Sequence, residues 1–306
     1  MSSTFQDPVL LVITGPTASG KTEAAILAAR CFNTQVVSFD SRQFYREMSI
    51  GTAVPSEAQL QSVSHHFIQH ISIHQAYNVS QFHDDARTIL GELFTTHRVV
   101  VAVGGSGLYL QALTEGLDEL PDIDPELRHA LQARLAGEGL GPILEELRLL
   151  DPIIVERIDR NNPRRVMRAL EVCLQSGRPY SSYLGNRTRQ PGFSVVYLVL
   201  ELPRKTLYER INARVLRMME EGLEEEAFGL YPHRHLNALN TVGYKELFAY
   251  FDGNLTREEA VAEIQKNTRR FAKRQTTWFG KHPEWERIAP QDVSLRLSAF
   301  PFSTTA

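Results

Sequence analysis

The segment Gly15-Pro16-Thr17-Ala18-Ser19-Gly20-Lys21-Thr22 has the spacing G-x-x-x-x-G-K-T. Glycines in such a loop let backbone N–H groups turn toward an anion. The helix that follows adds the positive end of its dipole, Lys21 brings a point charge to the outer phosphate, and the Thr22 hydroxyl can hold Mg²⁺. The pattern is a P-loop and calls for a polyphosphate. Alone it suggests ATP or another nucleotide, and it does not choose between a nucleotide and a pyrophosphate ester. A general nucleotidase would pair it with an apolar strand ending in a metal-binding Asp. Here the apolar run 99–103 ends in Gly104-Gly105-Ser106-Gly107 instead, which weakens a plain ATPase reading.

Asp40 follows a second short apolar run, Val36-Val37-Ser38-Phe39. An isolated Asp there could cap a helix or support a metal ligand. It could also serve as general base, since an aspartate is ionised at neutral pH and can accept a proton, or it could bond an amine on a base edge. Two basic runs complete the candidate chemistry. Lys266, Arg269, Arg270, Lys273, Arg274 and Lys281 lie between Ile264 and Pro283 with no acid among them, and at helical spacing 266, 270, 273 and 274 share a face. Phe271, Gln275 and Trp278 line a neighbouring face. Arg157, Arg160, Arg164 and Arg168 make a second stripe, with Arg165 adjacent. Such runs are commonly solvated faces, but two of them in a chain of net charge −3 point to local phosphate contacts with RNA.

The elements that must position these residues follow from hydrophobic periodicity. Three short buried runs, Val9–Thr14, 35–39 and 98–103, read as strands. Helical patterns follow the first at Lys21–Cys31, precede the third at 80–96 and follow it at 108–113. Strands alternating with helices predict a parallel, doubly wound α/β sheet with ligands at the carboxyl ends of its strands, where the P-loop, Asp40 and Ser106 all fall. On this reading Asp40 sits beside the P-loop in sheet order. From 115 to about 187 the pattern is helical without a convincing strand. Asp124-Pro125 and Asn162-Pro163 each place a cap residue before a proline at the first helical position, and the second helix stops at Gly177. Ser194–Leu200 returns as a strand. The expectation is a core formed by 1–114 and 190–306 with a helical insertion at 115–189. Long helices are expected at 204–230 and 257–281, and the tail after Pro290 carries no clear signal. The chain of 306 residues, 42% hydrophobic and 23% charged, suits a large α/β domain plus a smaller one.

No apolar run reaches membrane-spanning length. The first eight residues lack the basic start and apolar stretch of a signal peptide, and Cys31 and Cys173 form neither a disulfide framework nor a zinc signature. A cytoplasmic protein is expected. His65 and His66 lack partners at metal-ligand spacing and read as structural or substrate-loop residues.

Taken together the motifs resemble the tRNA dimethylallyltransferases, also called tRNA isopentenyltransferases, of the bacterial type. The resemblance rests on the P-loop and on Asp-Ser-Arg-Gln-Phe-Tyr at 40–45, Ile-Gly-Thr-Ala at 50–53 and His-His-Phe at 65–67. It continues through Val-Gly-Gly-Ser-Gly-Leu-Tyr at 103–109, Asn-Pro-Arg-Arg-Val-Met-Arg-Ala-Leu-Glu at 162–171, Val-Gly-Tyr-Lys-Glu at 242–246 and Lys-Arg-Gln-Thr-Thr-Trp-Phe at 273–279. These motifs occur in family order across about 9–285. The resemblance implies a P-loop NTPase-like core with an inserted all-helical domain that grips the tRNA anticodon stem-loop. It implies transfer of a dimethylallyl group from dimethylallyl diphosphate to N6 of adenine 37, in tRNAs reading codons that begin with U. Residues 15–22 would hold the diphosphate with Mg²⁺, bound through Thr22. Asp40 and Ser106 would be catalytic. The tRNA contacts implied are Asp40, Ser41, Arg42, Gln43, Ser106, Arg128, Arg164, Arg165, Arg168, Asn240, Gly243, Tyr244, Lys245, Lys273, Arg274 and Gln275, and the enzyme would be a monomer. Surface and core roles compete at Arg128 and Tyr244 respectively. The chain departs from the family pattern at Ser106, where Thr is usual, and at Gly280, where Arg is frequent; the latter bears on one phosphate contact. Three other readings use some of the same residues: a small-molecule P-loop kinase, an isopentenyltransferase acting on free AMP, and a non-catalytic RNA-binding protein with a relic P-loop. The kinase leaves the Gly104–Gly107 loop and the basic C-terminal helix without a role. The AMP enzyme leaves the arginine stripes without one, and the relic reading leaves the joint presence of Lys21, Thr22 and Asp40 unexplained.

Overall fold

The computed structural model describes residues 8–185 and 192–300; the leading segment read as free of a signal peptide and the last residues of the expected insertion fall outside them. β1 (Val9–Thr14) is buried along its whole length and pairs in parallel with β4 (Val99–Gly104) on one side and β5 (Ser194–Leu200) on the other. With β2 (Val36–Ser38), β3 (His65–His66) and β6 (Glu286–Ile288), the sheet runs β3-β2-β4-β1-β5-β6, all parallel. A central strand that is apolar at every position needs cover on both faces. The alternation of the β1 side chains delivers them to two clusters. Val9, Leu11 and Ile13 pack with α1 (Lys21–Cys31) and α13 (Val293–Ser298). Leu10 and Val12 face the larger cluster, which takes in α3 (Val79–Leu93) and α4 (Gly107–Glu115). The fold is a P-loop NTPase-like parallel sheet with a helical insertion.

The sheet order corrects one expectation. β4 lies between β2 and β1, so Asp40 is one strand further from the P-loop than direct adjacency would put it. Short α2 (Glu57–Ser62), capped by Ser56, leads into β3. Past β5, the expected single helix at 204–230 is two, α9 (Arg204–Glu220) and α10 (Leu223–Leu230), broken at Gly222 with φ 100°. α11 (Tyr244–Phe251) and α12 (Arg257–Phe279) follow. The tail holds β6 and α13, both of which sequence periodicity missed because each is too short to show a period.

Glu115–Arg189 forms a compact unit of its own, apart from Met1–Thr114 with Gln190–Ala306. It contains α5 (Pro125–Glu138), α6 (Leu140–Leu150), α7 (Pro152–Arg157) and α8 (Pro163–Ser176) around Leu131, Ile143, Leu147, Ile154, Val166 and Leu170. The caps are those read from sequence. The Asp124 side chain accepts from the Glu126 N–H, the Asn162 side chain accepts from the Arg165 N–H, and Gly177 ends α8 in the left-handed conformation.

Candidate active site

The P-loop leaves β1 and enters α1. Gly15, Ala18 and Gly20 hold φ of 144°, 65° and 95°, which swings successive amides outward at the positive end of an eleven-residue helix. The Lys21 ammonium donates to the Pro16 carbonyl at 2.8 Å and so folds back over its own loop. Burial pushes its pKa down to about 8; Asp40 pulls it up, Arg214 pushes it down and Glu23 pulls it up. A lysine so placed is short of counter-charge and suited to an anion.

A cavity of about 600 Å³ opens beside the loop. It is lined by Thr17, Lys21, Thr22, Asp40, Gln43 and Arg214, among others. Arg214 was not among the sequence candidates. Its side chain is part-buried, and its guanidinium donates to the Thr17 hydroxyl at 3.4 Å. Burial lowers its pKa, against the pull of Glu23 and Asp40. Arg210 and Arg217 line the same cavity. The signal available in sequence was their spacing at i, i+4 and i+7, which puts three arginines on one face of α9.

Asp40 reaches this cavity even though β4 intervenes, because the chain turns immediately past β2. One Asp40 carboxylate oxygen accepts from the Arg42 N–H at 3.1 Å, and the Asp40 N–H donates to the Ser38 hydroxyl at 3.4 Å. Ser106 meets the same turn. Its hydroxyl accepts from the Ser41 N–H at 3.2 Å and lies 3.2 Å from the Ser41 hydroxyl. Gln43 donates to the carbonyls of Thr52 and Ala53 at 3.2 and 2.8 Å. The Glu226 carboxylate accepts from the N–H groups of Ser49, Ile50 and Gly51 at 2.8–2.9 Å and from the Tyr244 hydroxyl at 2.7 Å, which fixes the segment leading to Thr52. His65 and His66 are held by the Val63 carbonyl and the Gln35 side chain, and no group of three metal-ligating side chains occurs among the described residues. Mg²⁺ keeps several waters and takes much of its coordination from phosphate oxygens, so the Thr22 hydroxyl with a carboxylate across the cavity fits it.

The IPP transferase family model matches residues 43–282. The chain belongs to the IPP transferase family. The tRNA dimethylallyltransferase of Christiangramia forsetii is 52% identical over 275 residues, covering 90% of this chain and 91% of that one. The tRNA dimethylallyltransferase 1 of Porphyromonas gingivalis is 46% identical over 289 residues, covering 92% and 96%. The solved full-length tRNA isopentenylpyrophosphate transferase of Bacillus halodurans superposes with a TM-score of 0.70 at 35% identity over 95% of each chain. A eukaryotic dimethylallyltransferase acting on tRNA gives 0.81 at 23% identity, covering 95% of this chain and 77% of that one, a likeness of fold. This chain is a prenyl-transferring enzyme. The family model begins at Gln43 and so does not itself cover the P-loop or Asp40.

The structure sorts the residues expected to contact RNA. Arg164 and Arg165 are exposed on the first turn of α8, and Lys245, Lys273 and Arg274 are exposed in the core unit. Arg274 stacks over Phe271 at 5.7 Å. Arg128 and Arg168 converge on the buried carboxylate of Glu171, at 3.2 and 3.6 Å, while staying partly exposed. Arg42 donates to the carbonyls of Asn237 and Ala238 at 3.2 and 3.0 Å, which ties it to the segment before Asn240. Two expectations are corrected. Tyr244 is fully buried, its ring in the core and its hydroxyl spent on Glu226. Gln275 is buried too, and both ends of its amide are used inside the core unit. Gly243 is buried as the cap of α11, with its N–H donating to Glu246 at 2.8 Å, so this segment offers solvent the Lys245 side chain and part of Asn240.

Proposed function

We propose that the chain transfers a dimethylallyl group from dimethylallyl diphosphate to N6 of adenine 37, in tRNAs reading codons that begin with U, and releases diphosphate. The observation that carries this reading is the single cavity in which a P-loop, with Lys21 and Arg214, faces Asp40. Cations and a carboxylate lining one cavity support this reading: the cations would meet a leaving diphosphate and the carboxylate would take a proton from an amine. The names of the relatives, tRNA dimethylallyltransferases, supply the substrates.

The exocyclic amine of adenine is a weak nucleophile, so the leaving group must be good and the amine proton must have somewhere to go. In the proposed step the bond between the allylic carbon and its diphosphate oxygen breaks and a bond from N6 to that carbon forms. The N6 proton passes to Asp40. The amides of 15–22, Lys21 and Arg214 meet the charge growing on the leaving oxygen. Mg²⁺, bound through the Thr22 hydroxyl with Asp40 nearby, would add further charge neutralisation on the diphosphate. Ser106, fixed by Ser41, would bond the amine or the leaving oxygen. Keeping the prenyl donor from water calls for a closed channel, which the adenine would enter unstacked from the stem-loop at a cost of about a few kcal/mol. Arg164 and Arg165 of the insertion, with Lys245, Lys273 and Arg274, would hold the RNA phosphates. The enzyme would work as a cytoplasmic monomer; no helix among the described residues is long and apolar enough to cross a membrane.

Labelled dimethylallyl diphosphate offered with tRNA, with AMP or with no acceptor tests this reading. Label in tRNA alone is the expected result. Label in AMP would move the enzyme to the free-nucleotide class, and release of diphosphate without transfer would overturn the reading. Asp40→Asn should keep tRNA affinity and lose about 10²–10⁴-fold in turnover; full activity would remove Asp40 as the base.

A further inference from the structure

Gly105 and Gly107 stand on either side of Ser106, and neither has a left-handed φ. Space, not backbone conformation, demands glycine at these two positions. A Cβ on Gly105 would lie 2.3 Å from the amide nitrogen of Gln275, and one on Gly107 would lie 2.4 Å from the Trp278 ring. Gln275 and Trp278 are three apart on α12 and so share a face. α12 therefore presses two neighbouring side chains onto alternate residues of the loop, and Ser106 between them turns to Ser41.

Gln275 does more than fill space. Its Oε1 accepts from the Thr17 N–H at 2.8 Å, and its Nε2 donates to the Gly105 carbonyl at 2.9 Å. One buried side chain thus joins the phosphate-binding loop to the loop that carries Ser106. Burying an amide costs free energy that its two hydrogen bonds roughly return. An apolar residue of similar size would fill the space but leave the Thr17 N–H and the Gly105 carbonyl without this partner, at about 1–3 kcal/mol for each group left buried and unpaired. What the amide adds is a fixed separation between two loops that are 258 residues from α12 in one case and 170 in the other.

The geometry points to Gln275 as a positioning residue for prenyl transfer. Through Thr17 and Gly105 it sets the distance between the diphosphate grip and the Ser106 side of the acceptor. This rests on the reading of 15–22 as a diphosphate grip. A displacement of about 1 Å between reacting groups can cost about 10²-fold in rate, so the effect belongs in kcat and not in RNA affinity.

Gln275→Glu is the discriminating variant. It keeps the length of the side chain and an acceptor for the Thr17 N–H. When ionised it turns a second oxygen, without a proton, onto the Gly105 carbonyl. When protonated it restores the donor. Burial raises the pKa of such a carboxyl, so the ratio of variant to wild-type kcat should climb as pH falls. The expected values are about 10–100-fold below wild type at pH 8 and at least about threefold recovery by pH 6. The Kd for tRNA should stay within about twofold, since no RNA contact is removed. Gln275→Leu should lose a similar factor with no recovery at low pH. A flat ratio for Gln275→Glu, or lost tRNA affinity with kcat intact, would overturn the assignment. If Gln275→Glu does not fold, Gln275→Asn serves. It is one methylene too short to reach both loops, and it should lower kcat and weaken inorganic diphosphate binding by about threefold or more; unchanged values for both would overturn the assignment. Diphosphate binding also separates the two claims. If wild type transfers nothing to tRNA while Gln275→Asn still weakens diphosphate binding, the substrate reading falls and the role of Gln275 stands.

Discussion

α8 and α12 look alike in sequence. Each is a basic helix with an apolar stripe, and each reads as a phosphate-binding face. In the structure they differ. α8 keeps its apolar residues for the insertion's own core and leaves Arg164 and Arg165 exposed on its first turn, where the helix dipole disfavours cations. Arginines kept at an unfavourable helix end, with no acid in the first turn of α8, make sense if an anion arrives from outside. α12 spends several of its cations internally. Lys266 pairs with Glu263 at 2.7 Å, and Arg269 donates to Asn212 at 2.6 Å. The opposite side of the helix turns Gln275 and Trp278 onto the active-site loop. One helix packs its own unit and leaves first-turn arginines exposed, whereas the other carries exposed cations on one side and packs against the Ser106 loop on the other.

The comparison can be broken or sharpened by experiment. The largest effect should come from the cavity itself. Arg214→Ala removes a part-buried cation that lines the cavity beside the P-loop and should cut kcat/KM for the prenyl donor by about 10²–10³-fold, with tRNA affinity unchanged by filter binding. A loss below about threefold would return Arg214 to a purely structural role. Arg164→Ala with Arg165→Ala should instead weaken tRNA binding by about 10-fold or more and reduce the slope of log K against log salt by about two, at unchanged kcat with saturating tRNA. An unchanged slope would break the division between the two helices. Donor binding should also depend on pH. The Lys21 pKa in the ligand-free chain is about 8. Below that value the ammonium is present to meet the diphosphate, and above it the charge is lost. Donor affinity measured by calorimetry should therefore fall as pH rises through about 8, and Lys21→Met should flatten the dependence. The smallest effect is expected at Tyr244→Phe. Losing one hydrogen bond to Glu226, which keeps three amides, should cost about 1 kcal/mol of stability and leave tRNA affinity alone. A clear loss of RNA binding would reinstate Tyr244 as a contact.

Much of this architecture was legible because its signals are local. The P-loop spans eight consecutive residues, and both proline-led caps of the insertion and the stop at Gly177 lie next to the helices they bound. β1 and β5 were readable because a central parallel strand, covered on both faces, shows as a nearly continuous apolar run. The break at Gly222 was not, since a lone glycine inside a helical pattern is tolerated as often as it interrupts. The burial of Tyr244, for which a core role competed, and of Gln275 was hard to read for a related reason. Each stands in a motif whose neighbours, Lys245 in one case and Lys273 and Arg274 in the other, do face solvent, and helical rotation by one residue turns a side chain through about 100°.

The sequence by itself determined that this chain carries a phosphate-binding motif at 15–22 and a carboxylate at the end of a second strand, and that it belongs with enzymes that share its ordered motifs. These are properties of residues close together along the chain. Only the tertiary structure decided that β4 lies between the two strands, that Arg214 reaches the Thr17 hydroxyl from 197 residues away, and that Gln275 closes the gap between the P-loop and Ser106. Those contacts depend on which helix faces crowd against which loops, and no local spacing encodes that.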